Sequence, residues 1–474
     1  MRGVAVAALL ALGAGGAGAS RAVAQSAPHQ QLAREIFEEL IEINTVDGVG
    51  NNTAAAEAMA RRFRAAGFPE RDVFVGGPRA DKGNVVVRYR GRGGPGAPKP
   101  ILLLAHLDVV QALKEDWSPD LDPFTFTERD GYYYGRGTSD DKAMAAMFVA
   151  NLLRMKREGF VPARDIIVAL TADEEGGPAN GVEWLFRNRR GLVDAAFVIN
   201  EGGGGTLRDG RPFLHSVQAT EKVYVDFTVE ARNRGGHSSV PRPDNAIYQL
   251  ADALARLGQY RFPVELNEVT RAFLERTAAI ESPDVAAAMR ALARNPRDEA
   301  AAAVVSATPR YNATLRTTCV ATMLRGGHAP NALPQLASAN VNCRILPNTS
   351  AAAVRDTLIR VFGDTAVKVS AAPASPPTAP SPLLPEVFTA VERLTREMFG
   401  DIPVIPVMST GATDSRYFRA AGIPAYGVSG IFGDPNDNRA HGRDERILIK
   451  SFYEGQEFLY RLVKELSSAR PTTS

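Results

Sequence analysis

The amino-acid sequence predicts an α/β protein in which a mainly parallel, helix-covered sheet is interrupted by an inserted α+β domain. Three observations lead there. Apolar, β-branched runs alternate with helix-period segments up to about residue 212. Beyond that point strands and helices mix without alternation. A proline-rich linker, AAPASPPTAPSP at 371–382, then precedes a return of the first pattern. A chain of 474 residues is long for one core, so two domains are expected, the second inserted into the first.

Hydrophobic content of 45% and charged content of 23% are those of an average globular protein and exclude the disordered and fibrous classes. The formal charge of +2 is accounted for by Arg2 and Arg21, so nucleic-acid binding has no electrostatic support. Residues 1–24 have the form of a secretory signal: Arg2, an apolar stretch at 4–12, and Ala22-Val23-Ala24 before Gln25. No later run reaches the roughly 18 apolar residues of a membrane span, so a soluble, exported protein, periplasmic or secreted, without a membrane anchor is expected. Cys319 and Cys343 each lie in a β-like run. Export permits a disulfide if those strands are neighbours, and two buried thiols fit the sequence as well.

Taken in order, helical spacing appears at 31–43 and 53–66, the latter ending at Gly67. A strand at 84–89 is followed by the turn-rich GRGGPGAPKP, a hairpin or a connection, and by a buried strand at 101–105. That strand ends in His106-Leu107-Asp108. An irregular excursion then delivers Asp140 to a helix at 142–158. The strand at 166–170 runs into Asp173, Glu174 and Glu175, followed by Gly176-Gly177. A helix at 182–189 leads to a strand at 195–199, which ends in Asn200-Glu201. Three strands thus finish in groups able to bind metal, at the sheet end where ligands of open α/β sheets sit. The inserted region offers a strand at 223–229, a helix at 245–257 and alanine-rich helices within 265–305. β-like runs at 313–324 and 336–346, a helix at 351–362 and a strand at 366–370 complete it. The returning part has a helix at 384–399, strands at 403–407 and 423–428, and a final helix at 446–466.

The chain has six histidines. His106, His237 and His441 stand in glycine- or acid-flanked polar segments, whereas His29, His215 and His328 are expected to be surface or structural. Zinc takes histidine nitrogen and carboxylate oxygen, and a metal pair needs ligands on both sides and a shared bridge. His106, Asp140, Glu175, Glu201 and His441 supply that set: a histidine and a terminal carboxylate per metal, and a bridging aspartate. Asp108 is suited to accept the other ring N–H of His106. Glu174, next to a ligand and pointing the other way, is placed as a general base.

These segments resemble the M20 family of metallopeptidases, the aminoacylase/carboxypeptidase family. The motifs are His106-Leu107-Asp108, GRGTSDDK at 135–142, DEEGG at 173–177, Asn200-Glu201-Gly202, GGHSS at 235–239, Asn331 with Arg344, GATD at 411–414, and HGRDE at 441–445. The resemblance implies two zinc ions, or another divalent metal such as cobalt or manganese. Asp140 would bridge, Glu175 and His441 would hold one metal, and His106 and Glu201 the other, with Glu174 as base. It makes 25–212 and 372–474 the two parts of a di-zinc peptidase-like catalytic domain and 213–371 an α+β lid, also used for dimerisation. His237 would stabilise the oxyanion from the same or a neighbouring subunit, and Arg344, Asn331 and Gly411 would bind a substrate carboxylate. The implied activity is hydrolysis of an amide in peptides or N-acyl amino acids, carboxypeptidase- or dipeptidase-like, or else that of a deacylase. A non-catalytic peptide-binding protein would be marked by a lost ligand or a lost Glu174, and neither is lost.

Overall fold

In the computed structural model, which describes residues 27–93, 97–373 and 376–468, the first unit is laid down by the chain up to Glu221. The segment 1–24 lies outside the described residues. Helices α1 (Pro28–Glu42) and α2 (Asn52–Ala65) come first, and the Asn51 side chain caps α2 by accepting the Ala54 N–H at 3.0 Å. Strands β1 (Val73–Gly76), β2 (Asn84–Tyr89) and β3 (Ile101–His106) follow, then a small hairpin, β4 (Thr127–Arg129) and β5 (Tyr132–Tyr134). Next come α3 (Lys142–Arg157), β6 (Ile166–Thr171), α4 (Gly181–Asn188), α5 (Arg190–Val193), β7 (Phe197–Asn200), β8 (Gly205–Arg208) and β9 (Arg211–Glu221). Every residue of β3 and β6 is buried, as strands covered on both faces must be. Leu103, Val168 and Leu170 face a core shared with α1 and α3, while Leu102, Leu104, Ile167 and Ala169 face α4. The two-residue side-chain period of a strand divides one apolar run between two helical layers in this way.

The second unit begins at β10 (Val223–Arg232). It continues through β11 (Gly236–His237), α6 (Ala246–Gln259), α7 (Glu268–Thr277), α8 (Pro283–Arg294), α9 (Glu299–Ser306) and α10 (Pro309–Leu315). β12 (Thr318–Gly326), β13 (Ala332–Leu333), β14 (Leu336–Ile345), α11 (Ala351–Phe362) and β15 (Val367–Ala371) complete it. Its antiparallel sheet has the order β12-β14-β10-β15. Burial alternates along β14, so one face packs Val225, Phe227 and Val341 against Leu250, Leu257, Val354 and Leu358 of α6 and α11. Helices α8 to α10 form their own cluster around Met289 and Leu292. α7 ties this part to the first unit: Val269 enters the large core, and Arg276 donates to the Val404 carbonyl at 2.8 Å and pairs with Glu392 at 2.7 Å.

The chain then returns to the large sheet with α12 (Pro385–Phe399), β16 (Val404–Ser409), α13 (Ser415–Ala420), β17 (Ala425–Gly427), β18 (Phe432–Gly433), β19 (Arg446–Leu448) and α14 (Ile449–Ser468). β17 lies between β7 and β9 in the order β1-β2-β6-β3-β7-β17-β9-β8-β18, with β16 beside β9. The central run β6-β3-β7-β17 is parallel, and β1 and β2 are antiparallel at one edge. No helix among the described residues is long and apolar enough to cross a membrane.

Several expectations change. Of the two alternatives for the link between β2 and β3, the hairpin is excluded and the connection stands, since β6 separates the two strands. Residues 313–315, expected to be β-like, end α10, which Pro309 starts from the first-turn position where its missing N–H costs nothing. Residues 446–448, expected in the final helix, pair with β5 as β19. Residues 213–221, grouped by sequence with the insertion, continue β9 in the large sheet, and the chain crosses between sheets at Lys222. Of the two alternatives for the cysteines, the disulfide is present: Cys319 and Cys343 are cross-strand neighbours with Cα atoms 4.1 Å apart.

Candidate metal centre

The parallel strands β3, β6 and β7 end together, and their last residues lead directly into the acidic and histidine-bearing turns. His106 Nε2 lies 2.9 Å from Asp140 Oδ1 and 3.9 Å from Glu201 Oε1. His441 Nε2 lies 3.1 Å from Asp140 Oδ2 and 2.9 Å from Glu175 Oε1. Asp140 therefore gives one oxygen to each histidine and divides the cluster into two centres. Donor atoms of His106, Asp140 and Glu175 lie within 4.8 Å of one another, as do those of His106, Glu174 and Glu201.

The electrostatics fit a pair of cations. Burial, then neighbouring carboxylates, push Glu174 and Glu201 well above the usual carboxylate range. Burial opposes a charged His106, yet Asp140 and Glu201 hold its proton affinity well above the usual value. The hydrogen bonds of His441 to Asp140 and Glu175 raise it to about 10. Burial works against charge on Asp140 too, but the two histidines keep it ionised, below its ordinary value. The acidic donor set thus favours positive charge at both imidazoles, the charge that divalent ions would supply as the ligands release protons.

Three arrangements fix the candidate ligands. Asp108 was expected to accept the other ring N–H of His106, and its main-chain oxygen lies 3.0 Å from Nδ1, with the carboxylate at 3.7 Å. That carboxylate accepts the Glu174 and Glu175 amides at 3.1 and 2.9 Å, satisfying donors that no helix or strand pairs. Asp108 thereby joins the His106 strand end to the acidic turn. Asp173, at φ 58°, takes the left-handed conformation that turns the chain sharply out of β6. Its buried carboxylate pairs with Lys82, and a Cβ on Gly177 would meet it at 2.6 Å.

The third arrangement had no role assigned to it from the sequence. Glu445 accepts the amides of Gly137, Ser139 and Asp140 at 3.2, 2.7 and 3.2 Å and pairs with Arg136 at 2.6 Å. Arg136 also donates to the Gly442 carbonyl at 3.0 Å, so one buried ion pair holds the turns carrying Asp140 and His441. A charged residue between the glycines of GRG was the available signal. Asn180 was missed as well: its Nδ2 donates to the Asp173 carbonyl at 3.0 Å and to Asp414 at 2.7 Å. Burial lifts Asp414 to about 6.

The residues expected on the substrate side fall into two groups. Arg344 on β14 lies over the Tyr224 ring at 4.6 Å and donates to the Thr410 carbonyl at 3.3 Å, which places it beside Gly411. His237 on β11 is exposed, with Nδ1 2.7 Å from Ser239 Oγ, and the Asn331 carbonyl accepts from Ser238 at 3.0 Å. Among the described residues, the hydrogen bonds of His237 and Asn331 stay within this arm and do not reach the metal-binding cluster.

Residues 102–465 match the model of Peptidase family M20/M25/M40. The chain is 29% identical over 389 residues to the N-fatty-acyl-amino acid synthase/hydrolase PM20D1 of Homo sapiens, covering 79% of this chain and 76% of that one. It is 30% identical over 400 residues to the probable carboxypeptidase S-like 2 of Dictyostelium discoideum, covering 80% and 74%. Its fold resembles that of the M20 family metallo-carboxypeptidase Sso-CP2 from Sulfolobus solfataricus, with a TM-score of 0.68 at 19% identity over 92% of this chain and 99% of that one. With the family's pattern matched over most of its length, the chain is a hydrolase belonging to peptidase family M20/M25/M40.

Proposed function

We propose that the chain is an exported di-zinc hydrolase that cleaves the amide joining an acyl or peptidyl group to an amino acid with a free carboxylate. The observation that carries this reading is the division of the Asp140 oxygens between two histidine–carboxylate centres with Glu174 beside them. His106, Glu201 and Asp140 would hold one ion; His441, Glu175 and Asp140 the other. Nitrogen and oxygen donors suit zinc, and cobalt or manganese could take the same places. When bound, such ions polarise the amide carbonyl and acidify water.

Glu174, whose proton affinity burial raises, takes a proton from the attacking water and returns it to the leaving amine nitrogen. Asp108 holds the backbone of Glu174 and Glu175 still while this happens. Arg344, stacked on Tyr224 beside Gly411, offers a fork of donors to the substrate carboxylate. His237 and Asn331, on an exposed arm, would reach the substrate by lid closure or from a second copy docked through the lid. A carboxypeptidase and an N-acyl-amino acid hydrolase, the activities in the two relatives' names, cut the same kind of amide. The main reading is a carboxypeptidase or dipeptidase, and the human relative favours an N-acyl-amino-acid deacylase as the second.

Dipeptides, N-acyl amino acids and matching amides without the carboxylate should be assayed before and after chelation. The proposal predicts turnover of the first two classes and its loss without metal. Undiminished turnover after complete metal removal rejects the mechanism. Equal kcat/KM on amides lacking the carboxylate rejects the role given to Arg344.

A further inference from the structure

Away from the metal centre, α6, α9, α10 and the edge strand β12 line a solvent-open cavity of about 1110 Å³. That is at or above the upper end of the roughly 300–1,000 Å³ usual for small-molecule sites. Leu257, Phe262, Val264 and Val320 give it apolar walls. Three guanidinium groups, those of Arg261, Arg297 and Arg316, also line it, against one lining acid, Glu299.

Arg316 is the unusual member. It is 9% exposed, and among the described residues its Nη atoms donate only to the Phe262 carbonyl at 3.1 Å and Ser306 Oγ at 3.0 Å. Its Nε is buried with no partner among the described residues. Arg261 spends its hydrogen bonds on the Gly258 and Tyr260 carbonyls, both at 3.1 Å. Burial, then the positive charge of Arg261, hold Arg316 below its ordinary value. A buried guanidinium without an acid is costly, and an anion beside it would remove that cost.

We propose that this cavity is a binding site for a long-chain monocarboxylate, with its carboxylate on Arg316 and Arg261 and its alkyl chain along the apolar wall. An inorganic anion would satisfy the charge and leave most of the volume empty. An uncharged lipid would fill the volume and leave Arg316 unpaired. The site stands apart from the substrate proposed for the metal centre and does not depend on it.

The test is isothermal titration of the full chain with sodium dodecanoate below its micelle concentration, with dodecan-1-ol as the uncharged control. Saturable binding of one dodecanoate is expected, with the alcohol at least tenfold weaker. Arg316→Met should weaken dodecanoate binding at least tenfold. Ala303→Trp, which fills the cavity from an exposed position and leaves Arg316 in place, should do the same. Arg344→Met, at the Thr410–Gly411 turn, should leave it unchanged. Absence of saturable binding, or alcohol bound as tightly as dodecanoate, overturns the proposal. So does loss of binding in Arg344→Met with Ala303→Trp unaffected, which would place the ligand in the catalytic site. If dodecanoate does not bind and Ala303→Trp splits a dimer into monomers, the cavity is occupied by a second copy and the proposal fails.

Discussion

Glu174 and Glu175 are adjacent, yet Glu174 groups with His106 and Glu201 while Glu175 meets His441, because Asp173 leaves β6 in a left-handed turn and Asp108 grips both following amides. Glu174→Gln keeps the shape and loses the proton acceptor. Metal content should stay unchanged while kcat falls by roughly 10²–10⁴, the usual worth of a positioned acid–base group. Metal analysis beside steady-state kinetics checks it, and retained kcat rejects Glu174 as the base. His215, fully buried on β9 against Phe399, Phe432 and Phe458, has a different kind of effect. Burial depresses it to about 3, so between that value and about 6.5 the unfolded chain binds a proton that the folded one does not. Its stabilising contribution is complete above about 6.5 and is lost as pH falls towards 3, a change of about 5 kcal/mol. His215→Phe should flatten that part of the acid denaturation profile, measured by urea midpoints against pH.

Among the elements, strand ends were the most legible part of the site. His106, Glu175 and Glu201 each follow an apolar run, so the local pattern of a buried strand already points to the sheet end where ligands gather. What holds them was not legible, because the partners lie far apart in sequence. Arg136 and Glu445 are separated by 309 positions, and β19 finds its partner strand over a similar distance. The same reason hid β9, whose neighbours β16 and β17 come from the end of the chain. Arg136→Met leaves the Glu445 carboxylate buried without its guanidinium, which costs roughly 3–5 kcal/mol. Because Glu445 also orders the turn carrying Asp140, weaker metal binding should accompany the lower unfolding midpoint. Metal affinity as tight as in the parent chain would show that the ion pair supports the fold alone. In the second unit, the Cys319–Cys343 bridge closes a loop of 24 residues, a constraint on the unfolded chain worth about 3 kcal/mol. Replacing both cysteines by alanine should lower stability by about that amount and leave the metal-binding turns intact.

At the scale of the whole molecule, an insertion starting at Lys222 brings Arg344 to the Thr410–Gly411 turn of the first unit. The alanine-rich helices are more than a longer lid. α7 is part of the large core, and its Arg276 holds the carbonyl of Val404, the first residue of β16, the strand that leads to that turn. The α+β character of the insertion was visible in the lost alternation. Its attachment was not, because α7 looks like any amphipathic helix until its partner surface is known. The exposed arm of His237 and Asn331 hydrogen-bonds within itself and, among the described residues, makes no hydrogen bond to the candidate metal-binding cluster.

The central claim is that one carboxylate, Asp140, organises two metal centres. Metal-to-protein stoichiometry, measured by elemental analysis after saturation with zinc and removal of free ion, tests it most directly, with Asp140→Asn alongside. Two ions per chain in the parent protein and loss of both from Asp140→Asn are predicted. A single ion per chain, or two ions retained by Asp140→Asn, would contradict the account.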